Sequence, residues 1–250
     1  MLTLALVLAL HAVAGDLPPR QMGSTRPVDR STKDCPKFRL GTERVQVERC
    51  VVLDSGDLAV LDGDRYVYTR YCVEVKELRI PCAAGRGSHA VAVSVRRAGE
   101  TALRLVTTGF ALGGQIRRPS IVANRYGHIL ELPTILAATC DCNVSRYFLK
   151  QPGSRQWREL NFNDWKGELS SHLPVGLKNT DTPWPDLSTM TINGVLWQQP
   201  DAHCCPTGGW FSGEFAIEGD RFVLKSIKVT RGDGNELPPP PIPLRQAPQP

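Results

Sequence analysis

Five side chains able to act as soft or borderline metal ligands fall in two short segments. Cys140 and Cys142 lie in "TCDCN", and His203, Cys204 and Cys205 lie in "PDAHCCPTGG". Thiolates and imidazole in that number suit zinc or copper(I). The spacing argues otherwise, because structural zinc sites separate paired cysteines by roughly two to four residues and neither pair does. A redox-active dithiol would place Cys-x-x-Cys at a helix start, and that motif is absent. Oxidation to cystine is the better use of these thiols. Neighbours in extended chain point to opposite faces, and an adjacent pair closed on itself forms a distorted eight-membered ring. Cys204 and Cys205 therefore each need a distant partner, and two bridges to Cys140 and Cys142 are the economical expectation. Closing a loop of about sixty residues would contribute on the order of 4 kcal/mol. A zinc or copper site built from Cys140, Cys142, His203, Cys204 and Cys205 is the alternative, and otherwise no metal or cofactor is expected.

The remaining cysteines, Cys35, Cys50, Cys72 and Cys82, are singletons in the first third of the chain. An even total of 8 in an exported chain reads as a disulfide framework whose pairing the sequence leaves open. Export is the reading of the first residues. Leu2 to Ala14 is apolar apart from Thr3 and His11 and ends in Ala12-Val13-Ala14, a small-x-small cleavage pattern. That run falls short of the roughly 20 residues a spanning helix needs, and no later run reaches it. No membrane span is expected after signal removal, and the address is secreted or periplasmic.

No catalytic constellation is visible. The chain has no Gly-x-Ser-x-Gly, no His-Glu-x-x-His and no phosphate-binding glycine loop. His89, His128, His172 and His203 stand singly. Glu131, Glu159, Asp164, Asp186 and Asp201 are carboxylates that only spatial proximity could turn into a glycosidase pair. Asp181, Asp186 and Asp201, with Asn179 nearby, lack the spacing of a calcium loop and read as turn caps. Asn143-Val144-Ser145 matches a glycosylation acceptor. A better lead is aromatic. Trp157, Trp165, Trp184, Trp197 and Trp210 all fall in the last hundred residues, where they could form stacking platforms for sugars or fill a β core.

The elements that must position these residues are mostly strands. "LAVLDGDRYVYTRYCVEV" is two strand-like runs around Asp62-Gly63, a strong hairpin signature. "HAVAVSVRRAGETALRLVTTG" repeats the plan around Ala98-Gly99, and "WFSGEFAIEGDRFVLKSIKV" around Gly219-Asp220. "GHILELPTILAATCDC" reads as two strands split by Pro133. One helix is expected over "NDWKGELSSHLP", capped by Asn163, with Trp165, Leu169 and Leu173 on one side and Pro174 as its stop. The fold class is therefore mainly β: antiparallel hairpins in a sandwich, barrel or propeller-like arrangement, with one or two short helices, stapled by disulfides.

Composition agrees with a globular body of 41% hydrophobic and 22% charged residues. The net charge of +5 is scattered beside turns rather than gathered in a stripe, which excludes a nucleic-acid surface. The expected division is a signal peptide (1–15), a polar linker (16–34), a hairpin-rich region (35–108), a β-rich region holding the Cys-Cys segment (109–230) and a proline-rich tail (231–250). Arg231-Gly232-Asp233 at the start of that tail spells an integrin-type tripeptide, which a turn explains equally well.

"SRYFLKQPGSRQW", "DWKGELSSHLPVGL" and above all "GVLWQQPDAHCCPTGG" resemble the C-terminal part of uncharacterised exported bacterial proteins that end in an Asp-x-x-Cys-Cys-Pro-Ser/Thr module. The resemblance implies an extracytoplasmic address and a β-rich fold, and it supplies no catalytic residue. Together these features point to a binding or scaffolding role at the cell envelope, with an envelope component or glycan as partner. An envelope glycan or peptide hydrolase and a soft-metal protein are the alternatives, and the balance leans away from an enzyme.

Overall fold

Turn chemistry sets the register of the first sheet. The computed structural model describes residues 29–30, 35–40, 43–76, 82, 87–136, 142–180, 182–202, 205–232 and 236–237. The elements in chain order begin with β1 (Asp29–Arg30), β2 (Arg39–Leu40), β3 (Glu43–Arg44), β4 (Val47–Leu61), β5 (Asp64–Val75), β6 (Ser88–Arg96) and β7 (Arg104–Ala111). There follow β8 (Gln115–Ile116), β9 (Ser120–Asn124), β10 (Gly127–Leu132), β11 (Thr134–Leu136), β12 (Cys142–Asn143), β13 (Arg146–Lys150) and β14 (Arg158–Leu160). Helix α1 (Asp164–His172) precedes β15 (Leu177–Lys178), β16 (Pro185–Asp186), β17 (Thr191–Gln198), β18 (Gly209–Glu218), β19 (Arg221–Thr230) and β20 (Glu236–Leu237).

The fold is mainly β and antiparallel. A five-stranded sheet runs β1-β4-β5-β6-β7, a four-stranded sheet β14-β13-β10-β9, and a small one β12-β11-β8. The C-terminal sheet runs β15-β17-β18-β19-β20 with β16 also on β17, and β2 pairs β3. All three expected hairpins form. In the first, Leu61 pairs with Asp64 and both turn residues are left-handed, Asp62 at φ 53° and Gly63 at φ 82°. That is the mirror-type turn whose twist matches the strands, and Asp-Gly is its preferred sequence. In the last, Glu218 pairs with Arg221 and Gly219 takes φ 60°.

The side-chain period of two distributes the apolar residues into stacked interiors. On β6, Ala90 and Ala92 face Phe38, Tyr71, Val73 and Phe110, while Val91 and Val93 face Tyr68, Leu130, Leu132 and Phe148. On the four-stranded sheet, Leu130, Leu132 and Phe148 meet the first sheet. Ile129, Tyr147 and Leu149 face the other way, into a cluster with Trp165, Phe211, Phe215 and Phe222. The four-stranded sheet is thus the middle layer, apolar on both sides. At Pro133 the chain leaves it: β10 belongs to the middle sheet and β11 to the small one, the bend expected of a proline that cannot donate to a ladder.

Two disulfides staple the first sheet, Cys35–Cys50 with Cα atoms 6.1 Å apart and Cys72–Cys82 at 5.7 Å. The first ties the segment carrying Phe38 over the sheet, where its ring meets Tyr71 edge-on at 5.7 Å. Room for the second depends on Gly87, where a Cβ would lie 3.1 Å from Cys82 Sγ and closer still to Cys72 Sγ.

The expected helix is present, with Trp165 and Leu169 buried and Leu173 packed against the same cluster. Its capping differs from expectation. Asn163 is itself in the helical region and makes no side-chain cap. Asn161 orients the helix start instead: its Oδ1 accepts Asn163 N–H at 2.9 Å and its Nδ2 donates to Asp164 Oδ1 at 2.9 Å. The same side of the helix is tied to the last sheet by Leu224 N–H, which donates to Glu168 Oε2 at 3.0 Å.

Candidate functional site

The Cys-Cys segment is carried on a loop that one carboxylate closes. Strand β17 ends at Gln198, and β18 begins at Gly209. Between them, Asp201 Oδ2 accepts Gln198 N–H at 2.7 Å and Thr207 N–H at 2.8 Å, and Oδ1 accepts the Thr207 hydroxyl at 2.7 Å. These bonds, the Thr207 hydroxyl first, hold the Asp201 carboxyl below the usual carboxylate range. Asp201 N–H in turn donates to Gln198 O at 3.1 Å. Both feet of the loop are therefore fixed to one side chain. Within the loop, Cys205 N–H donates to Ala202 O at 3.0 Å.

The glycines after the cysteines complete the anchorage. Gly208 N–H donates to Leu196 O at 2.8 Å, and a Cβ there would lie 2.7 Å from the same carbonyl. Gly209 has φ 100°, and a Cβ there would drive into Thr230 O and the backbone of Arg231. Only glycine allows the chain to enter β18 this close to β19.

Beside the loop lies a cleft of about 520 Å³. One wall is the 174–177 turn, closed by Leu177 N–H on Pro174 O at 3.0 Å, with Val175 fully exposed at its tip. Gln198, which pairs with Leu177, lines the cleft with Gln199, Thr207, Arg231 and Gly232. Trp210 is not one of the lining residues; two positions beyond Gly208 it is 50% exposed on β18 and pairs across strands with Val195, itself 42% exposed, and with Thr230. The cleft lining thus combines two amides, a hydroxyl and a guanidinium, and the exposed Trp210 follows two residues after its Gly208.

The five tryptophans do not form one platform. Trp165 and Trp197 are buried, at 0% and 2% exposure, so neither can stack on a ligand; Trp165 packs edge-on against Phe215 at 5.5 Å. Here the core-filling use of a large aromatic prevails over the stacking one. Trp157 is half-buried against Tyr66, with ring centroids 5.6 Å apart. Trp184 lies under the Arg117 guanidinium at 5.7 Å. Trp210 alone of the five presents an exposed face.

Cys140, His203 and Cys204 lie outside the described residues, as does the side chain of Cys142, and with them both the two-bridge staple and the soft-metal set. Among the described residues no three or more His, Cys, Asp or Glu gather as metal ligands. The carboxylates singled out as a possible hydrolytic pair each have their own partner. Glu159 pairs with Arg146 through two bonds of 2.6 and 2.7 Å. Asp164 accepts Asn161, and Asp186 accepts Ser188 and Thr189 in a turn-capping arrangement. Glu131 is different: burial raises its carboxyl above the ordinary range, against hydrogen bonds from Ser120 and Tyr147. It lies inside the middle layer, away from the cleft. His89 is pushed down by burial and then by Arg70, and His172 is buried on the helix. Asn179 donates to Val195 O at 3.1 Å, and Asp181 lies outside the described residues.

The glycosylation acceptor is overturned by packing. Asn143 is 1% exposed, and its Nδ2 donates to Tyr147 Oη at 3.0 Å and Pro183 O at 3.3 Å. An amide so enclosed has no room for a sugar in the folded chain.

One buried charge was not singled out in the sequence. Lys150, 3% exposed, ends β13 on the face shared with Phe148, and its Nζ reaches Asp62 Oδ2 at 2.5 Å. The signal was its register: in "RYFLK" the apolar face that holds Phe148 calls for another apolar residue at 150. Compared with protein-family models, with curated proteins and with solved structures, the chain matches none of them.

Proposed function

We propose that this is an exported, disulfide-stabilised binding protein of the cell envelope, and that it binds glycan at the cleft beside the 198–208 loop. The observation that carries this reading is a cleft lined by Gln198, Gln199, Thr207 and Arg231, with the exposed Trp210 two residues beyond its Gly208. Hydroxyl-rich ligands are recognised by planar amides and guanidinium groups at their edges and by an aromatic ring on their apolar face. Gln198, Gln199 and Arg231 provide the former, and Trp210 the latter.

An oxidising compartment is supported by the two disulfides of the first sheet, since such bonds persist outside the cytosol. No helix among the described residues is long and apolar enough to cross a membrane. The signal-like first residues and the Asp-x-x-Cys-Cys-Pro-Thr segment favour the same address. The cleft has no carboxylate among its lining residues, which favours binding over hydrolysis at this position.

The test is retention of the purified chain on insoluble peptidoglycan, chitin and cellulose, alongside Trp210→Ala and Gln198→Ala. Retention on at least one polymer that falls about tenfold in Trp210→Ala is expected, the size of losing one stacked aromatic contact. No retention on any polymer, or retention indifferent to both substitutions, would reject the proposal.

A further inference from the structure

Three turns meet at the far end of the first sheet around a second cleft, of about 350 Å³, which shares no lining residue with the first. The Asp62-Gly63 turn touches the 97–100 turn, where Asp64 Oδ1 accepts Ala98 N–H at 3.1 Å. That second turn is closed by Glu100 N–H on Arg97 O at 3.0 Å. The third, 151–154, is closed by Ser154 N–H on Gln151 O at 3.0 Å and follows directly on Lys150. The rim is therefore built of hydrogen-bonded turns.

Two of the three carboxylates in this cleft carry an ion pair, and the third accepts a backbone N–H. Asp62 receives the Lys150 ammonium. Glu100 receives Arg104 through two bonds, at 2.9 and 3.0 Å. Asp64 receives the Ala98 N–H. The remaining charged lining groups, Arg97 and Arg155, have no ion pair among the described residues. Of the three lining charges without an ion pair, two are guanidinium groups and one is the Asp64 carboxylate, so the unpaired charge of the cleft is positive on balance. An anion would find two planar forks of N–H donors with their charge unspent.

We propose that this cleft binds a tetrahedral oxyanion, a phosphate or sulfate ester, held between Arg97 and Arg155. The turns set the backbone beforehand, so the ordering cost of binding falls on the two arginine side chains. The site does not depend on the glycan cleft and stands or falls separately from it.

The test is calorimetric titration of the full chain with inorganic phosphate and with sulfate, at ionic strength held constant by sodium chloride. Saturable binding is expected, weakened about tenfold or more in Arg97→Gln and in Arg155→Gln, as loss of a charged hydrogen-bonding group implies. Both variants should keep the thermal midpoint of the parent, because neither arginine is paired in the fold. Arg155→Lys, which keeps the charge and loses the fork, is expected to recover only part of the affinity. No saturable binding of either anion, or undiminished binding in the double Arg97→Gln, Arg155→Gln variant, would overturn the site. Titration with glycerol 3-phosphate and sedimentation with phosphatidylglycerol vesicles separate the sources. Tighter binding in the first arm assigns a soluble ester and in the second a lipid headgroup, and in both arms the gain must vanish with the arginines.

Discussion

Lys150 and Asp62 join two layers across a steep change in exposure: the lysine side chain is 4% exposed, the aspartate side chain 71%. The ammonium comes from the interior between the first and middle sheets. The carboxylate comes from a left-handed position at the tip of the β4–β5 hairpin. A buried charge deprived of its partner is costly, whereas an apolar replacement of similar volume is often neutral. Asp62→Asn should therefore lower the thermal midpoint more than Lys150→Met, although it alters the more exposed residue. Parallel melting curves check the order, and the reverse order would sink the interpretation.

The same pair predicts a response to acid. The Lys150 hydrogen bond holds the Asp62 carboxyl below its ordinary value of 3.8. A carboxyl lowered in the folded state contributes stability that is present above the unfolded value and lost as pH falls through the folded one. Denaturant midpoints of wild type and Asp62→Asn should stay parallel from neutral pH to about 4 and converge below it.

Glu131 carries the opposite sign. Burial raises its carboxyl above 4.5, so the stability it contributes is complete below that value and declines as pH rises through the raised one. Glu131→Gln, which keeps the shape and the bonds from Ser120 and Tyr147, is expected to match wild type in mild acid and to exceed it near neutrality. A variant less stable than wild type at both pH values would show that the charge is needed.

Removing the Cys35–Cys50 bridge by the double Ser substitution should cost about 3 kcal/mol, the chain-entropy estimate for a loop of this size. The loss should be local in its signature. Hydrogen exchange should rise first around Phe38 and Val45, whose N–H donates to Phe38 O at 3.1 Å, before the C-terminal sheet responds.

Asp201→Ala removes three acceptor contacts at once and should free the loop without disturbing the sheet beneath it. Exchange protection is expected to fall at Gln198 and Thr207 and to hold at Phe211 and Phe215. Gly209→Ala should behave in the opposite way, since its left-handed backbone and the nearby Thr230 carbonyl put the strain in the sheet itself.

Local signals in the sequence were sufficient where one rule acted alone. Asp62-Gly63 specifies its turn type, Pro133 forces the chain out of a ladder, and Trp165 with Leu169 picks out the helix face. They failed where two parts of the chain compete for one side chain. Asn163 looks like a cap, but it is helical and its own N–H is held by Asn161, whose backbone bridges to Arg221 on β19. Asn143 looks like an exposed acceptor, but Thr182 and Pro183 close over it. The cleft illustrates the same limit. Asp201, Thr207 and the two glycines are adjacent in sequence, yet the 174–177 wall and Arg231 come from either side by pairings no local pattern encodes.

The doubly apolar middle sheet raises a problem of alignment. In an amphipathic strand, sliding by one residue throws the oily set into water, and the slip is forbidden by hydration alone. On β10 and β13, sliding would only exchange Ile129, Tyr147 and Leu149 for Leu130, Leu132 and Phe148, with oil on either side. The polar residues then have to act as the index marks. Glu131 opposite Tyr147 and Ser120, and Lys150 aimed at Asp62, each find a partner in one alignment only. Substituting them is a way to ask whether this chain folds into one structure or several.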